Sequence, residues 1–170
     1  MIRRPFLDVS EVARLDVPAQ RQRISTGYSG TPLAKKLGFK SGFVVLLVNA
    51  PDNYMELVAP LSNRVRIVGL PDSRPLAQDE IGKGFDLIHL FTNTRDELFR
   101  EVSESLRQLK QDGSIWVSWY KKAAKLPTEV TEDTIREIAF PLGLVDVKVC
   151  AVDDKWSGLK LVIRKENRTL

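Results

Sequence analysis

The run Phe85–Phe91, FDLIHLF, constrains the fold more than any other stretch of this 170-residue chain. Apart from Asp86 and His89, both alternating sets of its side chains are apolar, which is typical of a strand buried on both faces of a parallel sheet. A second run of this kind covers residues 43–48, and a shorter one covers residues 65–68. Parallel strands need crossover connections, so these runs predict an α/β sheet with helices between its strands.

Capping residues predict where those helices begin. Asp52 is predicted to cap a helix with Tyr54, Leu57, Val58 and Leu61 on one stripe. Thr94 and Glu97 form a capping box that opens a helix ending near Asp112 and Gly113. Another helix is predicted to begin at Thr131. A short helix, LAKKL, is predicted between Thr31-Pro32, which would begin it, and Gly38, which would end it.

The C-terminal third predicts three more strands, at 114–120, 145–152 and 159–164, with the turn DDKWSG at 153–158 joining the last two as a hairpin. The element order predicts a Rossmann-like, mostly parallel sheet with helices on both faces and a C-terminal β-hairpin. We expect an N-terminal arm at 1–26, a single α/β domain at 27–165 and a C-terminal tail at 166–170.

Composition narrows the classes of function. The net charge is +4, from 26 basic and 22 acidic residues, which is too small an excess to predict nucleic acid as the partner. Cys150 and His89 are the single cysteine and histidine, so no Cys/His zinc site is predicted and no metal is expected. The longest apolar run is too short to span a bilayer, and no apolar segment follows the first arginines, so we expect a cytoplasmic protein without membrane contact.

The C-terminal half resembles a known fold family. FDLIHLF, LKQDGSIWVSW and PLGLVDVKV, followed by a hairpin, resemble the second half of class I S-adenosylmethionine-dependent methyltransferases. The turns at 109–113 and 142–144 stand where that family has a "Leu-x-x-Gly-Gly" and a "Gly-Phe" turn. The resemblance implies the methyltransferase architecture over about residues 85–165, and it concerns structural turns more than chemistry.

The first half departs from that family at the positions that hold its cofactor. After the first strand the family has a GxGxG turn, whereas this chain has Val48-Asn49-Ala50-Pro51-Asp52-Asn53. The acid expected at the end of the second strand is also missing, since Gly69-Leu70 stands there. We therefore expect no cofactor, and S-adenosylmethionine is not the expected ligand.

A closer resemblance is to a family of small, uncharacterised bacterial proteins. It rests on GYSGTPLAKKLG at 27–38 and on VLLVNAP, HLF, WVSWYKKAA and DDKWSGLKLV, and it spans residues 27–165. This resemblance implies membership of that family and a bacterial source, and it implies no particular activity.

Polar residues follow the predicted parallel strands, where open α/β sheets bind ligands. The candidate ligand-binding residues are Asn49, Asp52, Thr92, Asn93, Arg95, Tyr120, Lys121, Lys122 and, if the strand at 145–152 is parallel, Trp156. Amides, lysines and aromatic rings predict a small anionic or nucleotide-like ligand, in a domain that binds a ligand or a partner without catalysis. Three alternatives stay open: polar loops without function, an unusual transferase at the same crevice, and weak nucleic-acid binding.

GYSGTPLAKKLG is not a P-loop, because neither glycine has the required spacing and no strand precedes it. A helix start can still bind an anion, and the candidates there are Ser29, Gly30, Thr31 and Lys35. We expect this stretch near the carboxyl edge of the sheet; at the opposite end it would only begin a helix. His89, in the middle of an apolar strand, is expected to be a hydrogen-bonded core residue.

Overall fold

The computed structural model describes residues 30–70, 77, 80 and 82–169. The chain divides into two units, Met1–Thr31 and Pro32–Leu170. Of the first unit only Gly30 and Thr31 are described, so the predicted N-terminal arm lies outside the described residues. The strands and helices below all belong to the second unit.

Six strands of the described chain form one sheet in the order β2-β1-β3-β4-β6-β5. Strands β1 to β4 are mutually parallel, β6 is antiparallel to β4, and β5 is antiparallel to β6. The edge strand β5 therefore runs in the same direction as β1 to β4, which confirms the Rossmann-like sheet with its C-terminal hairpin. The strands are β1 Val44–Val48, β2 Arg66–Val68, β3 Phe85–Phe91, β4 Leu109–Tyr120, β5 Leu144–Ala151 and β6 Trp156–Ile163.

Four α-helices of the described chain flank the sheet: α1 Leu33–Leu37, α2 Tyr54–Leu57, α3 Arg95–Gln108 and α4 Glu132–Ala139. Thr94 begins α3, and its hydroxyl accepts a hydrogen bond from the amide of Glu97. Thr131 begins α4 in a reciprocal capping box with Thr134. Gly38 ends α1 in the left-handed conformation, with φ of 88°.

Each face of the sheet carries its own apolar core. Helices α3 and α4 cover one face, where Leu98, Val102 and Ile135 pack on Ile88 and Ile115. Helices α1 and α2 cover the other face, where the buried side chains include Leu37, Val45, Leu47, Tyr54, Val58, Leu87, Phe91, Trp116 and Trp156. This two-sided burial explains why the strand sequences are apolar without strict alternation. None of the described helices is long and apolar enough to cross a membrane.

Helix α2 is shorter than the sequence predicts. It has four residues, and Asn53 rather than Asp52 precedes its first residue, with no side-chain cap. Asp52 stands one residue before the cap position and does not cap the helix. Tyr54 and Val58 are nevertheless fully buried, as the apolar stripe predicts. The chain then reaches Pro60, which has no amide hydrogen to continue a helix.

Strand β4 begins five residues earlier than predicted, and α3 ends at Gln108 rather than near Asp112 and Gly113. Leu109 pairs with Phe85 across an irregularity in the ladder, which draws the chain after α3 straight into the sheet. A side chain at Gly113 would lie 3.0 Å from the Asp86 carbonyl oxygen, so this glycine allows the close approach of β4 to β3. Pairing with a distant strand therefore replaces the turn that the local sequence favours.

Candidate functional site

The chain order places a topological switch point between β1 and β3. The connection from β1 leads to β2 on one side of β1, and the next connection crosses to β3 on its other side. In open α/β sheets the crevice outside the carboxyl ends of the strands at such a point is the usual place for a ligand. Asn49, which follows β1, and Thr92 and Asn93, which follow β3, stand at this point.

Asn49 has a backbone conformation that few residue types adopt. Its φ is 58°, in the left-handed region, and its side chain is exposed. Asparagine is one of the few residues other than glycine that tolerate this region. Asn49 therefore turns the chain directly after β1.

Glu97, in the first turn of α3, joins the two strand ends, and the sequence did not predict this. Its carboxylate accepts a hydrogen bond of 2.6 Å from the hydroxyl of Thr92 and one of 3.4 Å from the side-chain amide of Asn49. The capping box was the available clue, but it predicts that the Glu97 carboxylate reaches back to the amide of Thr94. The carboxylate instead turns toward the crevice, while Thr94 keeps its half of the box at 3.3 Å. We call Asn49, Thr92 and Glu97 the Glu97 cluster.

Asn93 fixes the end of β3 to its surroundings. Its side-chain oxygen accepts a 2.8 Å hydrogen bond from the amide of Tyr120, at the end of β4. Its carbonyl oxygen accepts a second bond of 2.8 Å from the amide of Glu129, in the loop before α4. Asn93 thus positions three segments, and it remains half-buried beside the switch point.

Arg95 is directed away from the Glu97 cluster. Its backbone amide donates to the carboxylate of Glu129, and its guanidinium forms a 2.8 Å ion pair with Glu137 of α4. Both side chains of the pair are more than half exposed, so the pair adds little to stability. The arrangement ties the start of α3 to α4. Asp52 also stands apart as an exposed residue of the turn before α2.

Trp156 is a core residue. The residue is 9% exposed, and its ring lies 4.9 Å from the ring of Phe91 and 4.5 Å from that of Tyr120. The hairpin turn holds it there, because one carboxylate oxygen of Asp153 accepts hydrogen bonds of 2.8 Å from the amides of Lys155 and Trp156. The predicted hairpin is confirmed, but its turn is shorter than DDKWSG, because Trp156, Ser157 and Gly158 already belong to β6 and pair with other strands. Tyr120 is half-buried, so it is more accessible than Trp156.

Lys121 and Lys122 lie at the end of β4, beyond Asn93 on the same edge of the sheet. The amide of Lys121 donates a 2.9 Å hydrogen bond to the Lys155 carbonyl oxygen, which closes the end of the β4–β6 pair. Lys122 is exposed and begins a single turn of 3₁₀ helix. The carboxyl edge therefore has a carboxylate at β1–β3 and ammonium groups at β4–β6.

The predicted anion site at the start of α1 lies partly outside the described residues and stays a prediction. Ser29 lies outside the described residues, and Gly30 and Thr31 belong to the first unit. Lys35 lines a shallow pocket with Ser41 and Pro60, in the segments that lead into β1 and β2. Ser41 precedes β1 and Pro60 precedes β2, so Lys35 lies toward the amino end of the sheet. The expectation of a position at the carboxyl edge is wrong for α1.

His89 is a hydrogen-bonded core residue, as expected. Its Nδ1 lies 2.8 Å from the hydroxyl of Tyr54 and its Nε2 lies 2.8 Å from that of Ser118. Burial lowers the pKa of His89 to about 3 and raises that of Tyr54 above its ordinary value. Both groups are therefore neutral at physiological pH. Among the described residues, no three His, Cys, Asp or Glu side chains are grouped to hold a metal ion.

Residues 34–165 match the family DUF3052, which is described as a protein of unknown function. This chain belongs to that family. No curated protein matches the sequence of this family member.

Solved structures show the fold to which the chain is similar. A proposed type 11 methyltransferase from Sulfolobus solfataricus is 16% identical, with a TM-score of 0.56 over 81% of this chain and 93% of that one. A SAM-dependent methyltransferase from Aquifex aeolicus is also 16% identical, with a TM-score of 0.52 over 77% and 87%. The fibrillarin pre-rRNA processing protein of Methanococcus jannaschii is 14% identical, with a TM-score of 0.51 over 74% and 69%. The fold of this DUF3052 protein is thus the Rossmann-like methyltransferase fold.

Proposed function

We propose that this DUF3052 protein binds a small molecule at the switch point and that the Glu97 cluster is its recognition site. The observation that supports the proposal is the Glu97 carboxylate, held between the ends of β1 and β3 by Thr92 and Asn49. Thr92 is 2% exposed, so its hydroxyl fixes the carboxylate from below, whereas Asn49 is exposed and Glu97 is half-buried. A preorganised carboxylate at the usual ligand position of this fold favours binding.

The chemistry of the cluster favours a ligand that donates hydrogen bonds. An ionised carboxylate only accepts, so it suits hydroxyl or amine groups and repels a phosphate placed directly against it. The amides of Asn49 and Asn93 can both donate and accept, as the edge of a nucleobase requires. A nucleoside-like ligand fits this set, with its hydroxyl groups at Glu97. In a nucleotide, the phosphate would extend along the edge toward Lys121 and Lys122.

Ligand titration followed by amide NMR tests the proposal. We expect adenosine or another nucleoside to shift the amide resonances of Asn49, Thr92 and Asn93. Glu97→Gln keeps the shape and removes the charge, so we expect it to weaken binding about ten-fold or more. Glu101→Gln is the matched control, because Glu101 lies one turn further along α3 and is also half-buried. Unchanged binding by E97Q, or resonance shifts confined to another surface, would reject the Glu97 cluster as the site.

The same titration separates the alternative functions. S-adenosylmethionine and S-adenosylhomocysteine are included, because their binding together with methyl transfer to an acceptor would favour the transferase alternative. A random oligonucleotide is included as well, and binding that weakens steeply with added salt would favour nucleic acid. The small-molecule proposal is supported over both alternatives, methyl transfer and nucleic-acid binding, if two results are found together. E97Q must weaken nucleoside binding, and added salt must leave that binding unchanged.

A further inference from the structure

A row of three side chains crosses the sheet beneath α1. Trp116 of β4, Lys160 of β6 and Lys148 of β5 are direct neighbours in the strand ladders, and they lie on the face that α1 covers. The indole of Trp116 donates a 2.9 Å hydrogen bond to the Leu37 carbonyl oxygen. The ammonium of Lys148 donates one of 3.0 Å to the carbonyl oxygen of Lys36. The C-terminal turn of α1 is thereby anchored on the row.

The row brings like charges together. Lys148 and Lys160 stand directly opposite each other on antiparallel strands, an arrangement that destabilises a sheet when both side chains are charged. Burial lowers the pKa of Lys160, and the charges of Lys148 and of Lys40, three residues after α1 ends, lower it further. The charges of two cations from different segments thus act on Lys160.

Nothing in the described part of the chain neutralises these cations. Neither Lys40 nor Lys148 nor Lys160 forms an ion pair with a described carboxylate. The carbonyl oxygen of Lys36 accepts a hydrogen bond from the ammonium of Lys148. The half-buried Lys160 has no hydrogen-bond acceptor among the described residues. Anchoring α1 therefore explains the position of Lys148 and leaves the repulsion that Lys148 and Lys40 exert on Lys160 unexplained.

We propose that Lys40, Lys148 and Lys160, the lysine cluster, bind a small oxyanion of the class of inorganic phosphate or a phosphate monoester. A phosphate dianion can accept hydrogen bonds from several ammonium groups at once and would turn their repulsion into attraction. Lys40 and Lys148 are exposed, so an anion can reach the half-buried Lys160 between them. The site lies on the α1 face at the β5–β6 side of the sheet, and it does not depend on the Glu97 cluster.

Thermal melting in inorganic phosphate tests this site, with chloride added to hold the ionic strength constant. We expect phosphate to raise the Tm of the wild-type protein in a saturable way. Lys160→Met keeps the apolar stem and removes the charge, so we expect it to lose the phosphate response. Without phosphate, K160M should melt at a higher temperature than the wild type, because the repulsion is gone. Lys165→Met, at an exposed lysine after β6, is the control and should behave like the wild type.

A variant that keeps the charge and a competing ligand complete the experiment. Lys160→Arg should keep the phosphate response, since it keeps the cation. An unchanged response in K160M, or a wild-type Tm that phosphate does not raise, would overturn the site and leave the lysines as anchors of α1. The site would also be overturned, in favour of a nucleic-acid surface, if the wild-type protein bound an oligonucleotide, K160M abolished that binding, and phosphate had no effect on the wild-type Tm.

Discussion

The hydroxyl of Tyr54, in α2, lies 2.8 Å from Nδ1 of His89, in the middle of β3, and both side chains are fully buried. The other ring nitrogen of His89 lies 2.8 Å from the hydroxyl of Ser118 on β4. Every polar atom of the buried imidazole ring therefore has a partner. This network connects α2 to two adjacent strands inside an otherwise apolar core, so its energetic contribution can be measured by single substitutions.

Tyr54→Phe should destabilise the protein by about 1–3 kcal/mol, because it leaves one nitrogen of a fully buried imidazole without its partner. The free energy of unfolding is measured by urea denaturation. Tyr120→Phe is the control, since Tyr120 is half-buried and the described chain gives its hydroxyl no hydrogen bond. An equal effect of both substitutions would show that the Tyr54–His89 bond contributes nothing specific.

His89 should stay neutral throughout the mildly acidic range. Its pKa is lowered from 6.5 to about 3 by burial, whereas in the unfolded chain it takes up a proton near 6.5. Its contribution to stability is therefore complete above pH 6.5 and is lost as the pH falls toward 3, by up to about 1.4 kcal/mol per pH unit. His89 is the single histidine, so its ring NMR resonances need no assignment. They should not titrate between about pH 8 and pH 5, and a midpoint near the ordinary value would contradict the burial.

Gly69→Ala should be far more damaging than Gly42→Ala. Both glycines have a left-handed φ, of 105° and 90°, so both substitutions strain the backbone. A Cβ at Gly69 would lie 2.2 Å from the Leu47 carbonyl oxygen, whereas one at Gly42 meets nothing within 4 Å. We expect G42A to cost about 1 kcal/mol and G69A about 3 kcal/mol or more. Similar unfolding free energies for the two variants would show that the approach to Leu47 is not tight.

Asn49→Gly should change the free energy of unfolding by less than about 0.5 kcal/mol, because glycine adopts the left-handed conformation and only a long hydrogen bond to Glu97 is lost. Asn49→Val should cost more than about 1 kcal/mol, since a β-branched residue is strained there. Urea denaturation measures both. Equal costs for N49G and N49V would mean that the side chain of Asn49, and not its backbone conformation, maintains the turn.

Local sequence predicts the elements well wherever the determining contacts are themselves local. The strand Phe85–Phe91 begins and ends where its apolar run does, and Thr94, Thr131 and Gly38 begin or end helices as their residue types predict. Local prediction fails at the start of β4, where a distant segment intervenes, because Leu109 is recruited by pairing with Phe85, 24 residues earlier in the chain.

The candidate site follows the same division. The sequence by itself determined that polar residues follow β1 and β3, because apolar strands must end in polar turns at the edge of a buried sheet. Only the tertiary structure decided that Glu97 reaches Asn49 while Arg95 turns to α4, and that Lys148 stands opposite Lys160. Side-chain direction and strand register depend on which distant elements pack together, and no local pattern of residues encodes that.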